Sequence, residues 1–385
     1  RSYCHLAELT SAGQMDSAMP YRMQHHTLNI ADPEALPLVE GMLLEFMPLF
    51  TSRLFNICAD ETFDLGRGRG REAMAAVGEG TYYIDFVSKL CDIVAKQGRT
   101  PMFWGDIVVK HPDALARLPE GTICLNWGYS PDETPDATRT LAQAGAVQYV
   151  CPGVSGWNRF MNRIPDSYRN IARMAAYGRE YGAIGLLNTD WGDFGHLNDP
   201  RFSLPGMIVG AQCSWSAEEL PFDTLCQDIS RLAYLDASEK VVGWLAQLQD
   251  CDVYSWWHLV MHREYVLGRA DIDHSDALLH LDLSGVEAAN QRVDEVAQGL
   301  AACIPHMDTS CREMLHCWLI ACEGIKVWNL TGRAVREQQY DSALAQRLER
   351  WLRQYEQLWR QVSRESELWR IRDMVRWYAA RLRGA

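Results

Sequence analysis

No apolar run in this chain approaches the ~20 residues needed to cross a bilayer as a helix, so a helical membrane span is not expected. No secretory leader is visible, although the chain begins at Arg1 rather than Met and its natural N-terminus is expected to lie upstream. Basic residues are in the minority: 37 Lys and Arg stand against 50 Asp and Glu, a net charge of -13. An acidic surface repels nucleic acid and anionic membranes, and a neutral or cationic small substrate fits it better. No CxxC pair occurs among the 12 cysteines. They stand singly, mostly inside apolar runs such as Cys58 in LFNICADE and Cys124 in TICLNW, which excludes zinc-ribbon spacing and predicts buried free thiols in a reducing, cytoplasmic setting. Internal repeats, low-complexity linkers, a P-loop and a recognisable Ser-His-Asp set are all lacking. His25-His26 has no acid at ligand spacing, so neither a metal nor another cofactor is expected.

What the chain does have is length and tryptophan. Its 385 residues exceed most single cores and predict one large domain plus a second unit. With 48% hydrophobic and 23% charged residues the composition is that of a soluble globular protein. The 14 tryptophans matter because an indole face packs on sugar C–H groups while its N–H donates.

Short apolar runs alternate with helical stretches over the first two-thirds. Asp32-Pro33-Glu34 is a helix start, followed by Leu36, Val39, Met42, Leu43 and Phe46 at helical spacing. LFNICADE follows, then a helix near Tyr82–Ala95, PMFWGDIVV, a short helical piece after His111-Pro112, GTICLNWGY, a helix from about Pro135 to Ala144, AVQYVCPG, a helix over Pro165–Tyr181, and AIGLLNTDWGD as the last strand. This rhythm predicts parallel strands with helical crossovers, an α/β fold. The runs are apolar throughout, as in strands covered on both sides. Each ends in a polar or aromatic cluster: Asp60-Glu61, Trp104-Asp106, Asn126-Trp127, Trp157-Asn158, Trp191-Asp193. A (β/α)8 barrel builds its site at such strand ends, whereas a doubly wound sheet uses a switch point with a glycine fingerprint, which does not follow the first strand here. Gly66, Gly68 and Gly70 read instead as a solvated loop.

After about residue 236 the strand signal disappears, predicting a barrel domain over 1–236 and an α-helical domain over 237–385. Ser284-Gly285-Val286-Glu287 reads as a capping box opening a helix towards Pro305. From Leu344 to Tyr378 apolar residues recur at helical spacing without Gly or Pro. Trp351, Trp359, Trp369, Trp377 and the pair Trp256-Trp257 are expected to be packing residues.

Asp60-Glu61 is an acid pair at the end of an apolar strand. Strand side chains alternate faces, so both acids can serve one pocket only if the backbone turns there. Close carboxylates push their pKa values apart, which leaves one able to act as an acid at neutral pH. From the pair alone, a solvated strand end explains it as well.

LFNICADETFDLGRG resembles the strand-four signature of glycoside hydrolase family 20, the β-N-acetylhexosaminidases, in which an Asp-Glu pair ends a barrel strand. The resemblance continues in order through FWGDI with Trp104, LNWGY with Trp127, PGVSGW with Trp157, and NTDWGDFGH with Trp191 and Asp193. It covers roughly the first two-thirds and is closest to the hexosaminidase-D-like branch. It implies a partial TIM (β/α)8-type barrel with strands four to eight present, acting on a terminal β-linked GlcNAc or GalNAc of an amino-sugar glycan. The mechanism implied is substrate-assisted retention, in which the 2-acetamido oxygen replaces an enzyme nucleophile. Carried over, Glu61 protonates the leaving oxygen and later activates water. Asp60 orients the acetamido N–H and stabilises developing positive charge. Trp104, Trp127 and Trp191 wall the sugar, and Asp193 accepts from its hydroxyls.

Two departures stand out. The family's acetamido-gripping Tyr follows the strand-seven Trp, where this chain has Asn158; Tyr129, at the end of LNWGY, is the candidate substitute. The resemblance starts just before strand four, at YCHLAEL, so the chain looks like a fragment that is inactive alone or closed by a partner. A non-catalytic sugar-binding protein and a two-carboxylate glycosidase with Asp106 or Asp193 as nucleophile remain as alternatives. His196 is a candidate pocket residue, Asp64 and Arg67 candidate rim residues, and Asp106 and Asp190 acids with either structural or substrate roles. His5, His25, His26 and His111 read as surface or capped histidines.

Overall fold

The computed structural model describes residues 27–63, 65–268 and 281–384. His5, His25, His26, Asp64 and the YCHLAEL segment lie outside the described residues. The chain forms two compact units that interleave in sequence: the first takes the described residues up to Gly128 with 133–152 and 173–187, the second takes 129–132, 153–172 and everything from Asn188.

The first unit is built on five strands, β1 (Leu54–Asn56), β2 (Thr100–Trp104), β3 (Ile123–Trp127), β4 (Val147–Cys151) and β5 (Gly185–Leu186), all parallel and in sequential order. The alternating pattern predicts parallel strands, and the half-barrel is the one the resemblance implies. Helix α1 (Ala35–Phe46) precedes β1, and the crossovers between the parallel strands are α2 (Arg71–Val77) and α3 (Glu79–Lys96), the 3-10 helix Pro112–Arg117, α4 (Asp136–Gln143), and α5 (Ile164–Glu180), whose first half counts with the second unit. Asp32 starts α1 from one turn ahead: its carboxylate accepts the Glu34 N–H at 3.0 Å and its carbonyl accepts that of Ala35 at 3.0 Å. Met42 and Phe46 of the predicted apolar stripe remain exposed on α1.

The strand register sorts side chains onto two faces. Phe55, Ile57, Phe103 and Cys124 face the helices and form one core with Tyr83, Ile84, Val87, Leu90 and Val94 of α3, which recur every three or four residues. Asn126 belongs to this helix side, where its amide donates to Thr138 of α4 at 2.9 Å. Gln148 donates to the Thr138 carbonyl at 2.9 Å from the same side. Trp104 and Trp127 alternate onto the opposite face, together with Asn56 and Leu125. The sequence cluster Asn126-Trp127 is thus divided between two faces.

The last strand is shorter than its sequence promised. Only Gly185–Leu186 pairs regularly with β4, and a single parallel bridge from Gly153 to Thr189 follows in the second unit.

That second unit is helical: α6 (Leu204–Trp215), α7 (Phe222–Ala233), α8 (Val241–Ala246), α9 (Trp256–Val266), α10 (Val286–Cys303), α11 (Glu313–Arg336), α12 (Ser342–Val362) and α13 (Leu368–Leu382). The predicted stretch 344–378 is two helices, broken at Ser363 and by a 3-10 turn at Glu365–Glu367. The capping box at Ser284 does not form. Gly285 is the N-cap of α10 without a side-chain bond, while the Ser284 N–H is taken by the Asp282 carboxylate at 2.9 Å. The core is a tryptophan cluster in which Trp328 packs edge-on against Trp256, Trp351 and Tyr378 at ring separations of 5.7, 5.8 and 5.4 Å. Gly332 of α11 makes room for Tyr254, whose ring lies 2.3 Å from where a Cβ would sit.

Candidate active site

β1 does not simply end; its chain turns under strain. Cys58, Ala59 and Glu61 have φ of 64°, 75° and 54°, the left-handed region that costs a non-glycine residue roughly 1–2 kcal/mol. Four hydrogen bonds hold the turn in place. The Asn56 side chain accepts the Cys58 N–H at 2.8 Å, and the Cys58 carbonyl accepts the Trp104 N–H at 2.9 Å. The hydroxyl of Tyr83, fully buried on α3, donates to the Ala59 carbonyl at 2.9 Å. The Asp106 carboxylate accepts the Glu61 N–H at 3.0 Å. Asp60 and Glu61 are half-buried at the tip.

Asp106 follows β2 by two residues. Burial pushes its carboxyl up to about 6; the Glu61 N–H opposes this and the neighbouring charge of Asp60 adds to it. Trp104 is 4% exposed on the face of β2 opposite the helices, and Trp127 is half-buried on the same face of β3.

The remaining predicted residues lie in the second unit, where they form two contacts of their own. Tyr129 and Trp157 meet edge to face at 4.9 Å, and the Tyr129 hydroxyl accepts the Trp191 indole N–H at 2.9 Å. Gly153 lets them close up: an ideal Cβ there would lie 2.9 Å from both rings. Asn158 donates to the Asp193 carboxylate at 3.3 Å. The structure thus joins Tyr129, Trp157 and Trp191 in one set and Asn158 and Asp193 in another. Strain recurs here at Ser155, Asn158, Phe194 and His196. His196 is half-buried, its ring against Gly192. Asp190 accepts the Ser203 hydroxyl at 2.6 Å, which favours the structural role for it.

Three contributors had no signal in the sequence. Asn56 and Tyr83 act on the turn through backbone groups, and fully buried Trp256 donates its indole N–H to the Phe194 carbonyl at 3.0 Å, bracing the Asp193–Gly195 turn. Only tertiary contact reveals them.

The sequence matches no family model, and no curated protein matches it. Similar solved structures exist. One is a β-N-acetylhexosaminidase from Bacteroides fragilis NCTC 9343, 16% identical over 55% of this chain and 46% of that one, with a TM-score of 0.42. Another is a chitobiase from Flavobacterium johnsoniae, 14% identical over 88% and 60%, with a TM-score of 0.35. A third is an O-GlcNAc hydrolase mutant from Thermobaculum terrenum, 12% identical over 91% and 75%, with a TM-score of 0.46. The chain spans less than two thirds of the length of the first two.

Proposed function

We propose that this chain is the catalytic part of an exo-β-N-acetylhexosaminidase that removes terminal β-linked GlcNAc or GalNAc from an amino-sugar glycan by substrate-assisted retention. The observation that carries the reading is the turn beyond β1: an adjacent Asp60-Glu61 pair held in a strained conformation by four hydrogen bonds. A solvated strand end needs neither the strain nor the clamps.

In the proposed reaction Glu61 donates its proton to the glycosidic oxygen as the bond to the anomeric carbon breaks. The substrate's acetamido oxygen forms the new bond to that carbon, giving an oxazolinium ion, and Asp60 accepts the acetamido N–H. Glu61, now a carboxylate, takes a proton from water as the water opens the ring, which restores the acid. Trp104 and Trp127, and in the second unit Tyr129, Trp157, Asn158, Trp191 and Asp193, are the proposed sugar contacts. Tyr129 is the tyrosine proposed to serve where Asn158 stands. The two-carboxylate alternative with Asp106 as nucleophile is disfavoured, because Asp106 is committed to the Glu61 N–H and its raised pKa keeps it protonated further towards neutrality. The cytoplasmic setting is proposed on the single, mostly buried thiols.

The test is turnover of a chromogenic β-N-acetylglucosaminide by the chain and by Glu61→Gln. Loss of turnover with retained binding of N-acetylglucosamine supports the reading. Wild-type rates in Glu61→Gln end it.

A further inference from the structure

Asp106 is fixed from behind. Gly105 donates its N–H to the Leu125 carbonyl of β3 at 2.9 Å, and a Cβ at Gly105 would stand 2.5 Å from Cys124 Sγ, so the backbone bearing Asp106 is pressed onto β3. From that rigid base one carboxylate oxygen reaches across to the Glu61 N–H at 3.0 Å, while the other is buried. A carboxylate is a costly choice for a buried strand end unless its charge is used. The bond lands on the main chain of a residue at φ 54°, where a small change in backbone swings the whole side chain.

We propose that Asp106 is a positioning residue for Glu61: its carboxylate sets where the Glu61 side chain stands, and protonating Asp106 slackens that placement and lowers activity on the acid side. This rests on Glu61 being the acid of the proposed reaction. The titratable groups facing Asp106 are Asp60 and Glu61 from the turn after β1 and Cys124 from β3. The Asp60 charge favours a proton on Asp106, and burial does so more strongly, placing the change at about 6. An ionised acceptor binds an N–H roughly twice as strongly as a neutral one, so the clamp weakens as pH falls through that value.

The first measurement needs no turnover: the backbone amide resonance of residue 61 followed against pH in the wild type, Glu61→Gln and Asp106→Asn. Expected is a titration near the Asp106 midpoint in the first two and none in Asp106→Asn. No titration at residue 61, or the same titration in Asp106→Asn, overturns the proposal. The second is the pH profile of kcat and KM on the chromogenic substrate. Asp106→Ala should lower kcat about 10- to 100-fold with KM within about threefold, the scale of a misplaced catalytic group. Asp106→Asn, a neutral acceptor like the protonated acid, should hold kcat near the level the wild type falls to at the bottom of its acid limb, and should show no such limb itself. A wild-type acid limb in Asp106→Asn overturns the proposal, and this arm decides the matter if Asp106→Ala does not fold. If Glu61→Gln itself turns over normally, the acid assignment falls and this proposal with it. An inactive Glu61→Gln beside an unaffected Asp106→Ala leaves the assignment standing and removes only Asp106.

Discussion

Tryptophan has two fates in this molecule. At and beyond the strand ends Trp127, Trp157 and Trp191 are half-buried, and Trp104 is 4% exposed. In the helical region Trp256 is 0% and Trp351 1% exposed, each edge-on to Trp328. A helix offers a continuous apolar stripe along which a large ring can be enclosed on all sides. A strand end has no such continuation, and three of these four rings stay half-buried there. The same side chain is therefore a packing element in one region and a candidate sugar platform in the other. Backbone strain is not so divided: besides the turns near the candidate residues it occurs in the helical region at Leu235, Glu239, Asp250 and Gln338.

That contrast can be broken by experiment. The largest effect is expected at the strained turn: Glu61→Gln should lower turnover about 10²- to 10⁴-fold, the range for losing a general acid, while thermal unfolding stays near the wild type. In the helical core Trp328→Ala should do the reverse, costing about 3–5 kcal/mol in denaturant unfolding. If Trp157→Ala destabilises as strongly as Trp328→Ala, the distinction between platform and core fails. Trp191→Phe removes the donor to Tyr129 and should cost about 1 kcal/mol of stability, with a larger proportional loss in sugar affinity by calorimetry. The helical region should also set the acid limit of folding. Burial, reinforced by Arg159 near His258 and by Arg381 and Arg336 near His262, holds both imidazoles down at about 4. The unfolded chain then binds more protons than the folded one between pH 6.5 and 4, so stability is full above that window and falls as pH drops through it. Urea midpoints across the window check this, and a flat response excludes it. The smallest effect is expected at Trp369, 53% exposed with Arg370 over its ring: Trp369→Ala should change stability by less than about 0.5 kcal/mol.

Much of the fold was legible in the sequence. Apolar runs separated by amphipathic stretches are sufficient for parallel strands with crossovers, and β1 to β5 fall where those runs stand. Helix α3 was legible because its buried residues repeat every three or four positions. The failures are local competitions. Ser284 lost its capping role because Asp282 takes its N–H in a turn that starts α10 one residue later. The 344–378 stretch has no Gly or Pro to mark its break, so only packing reveals the turn at Glu365. At the candidate site the acids and indoles could be named from strand-end patterns, but their partners could not. Tyr83 lies 24 residues from the carbonyl it holds, and Asp106 lies 45 from the amide it accepts.

The sequence alone determined the periodicities, and with them the order and type of the elements and which acids and tryptophans lie at strand ends. Those properties are local and follow from two repeat lengths, 2.0 and 3.6 residues. The tertiary structure alone decided that Trp191 bonds Tyr129, that Asn126 and Trp127 part to opposite faces, and that the Glu61 N–H meets a carboxylate from just beyond the neighbouring strand. Such facts depend on register between strands distant in sequence, and no local pattern encodes register.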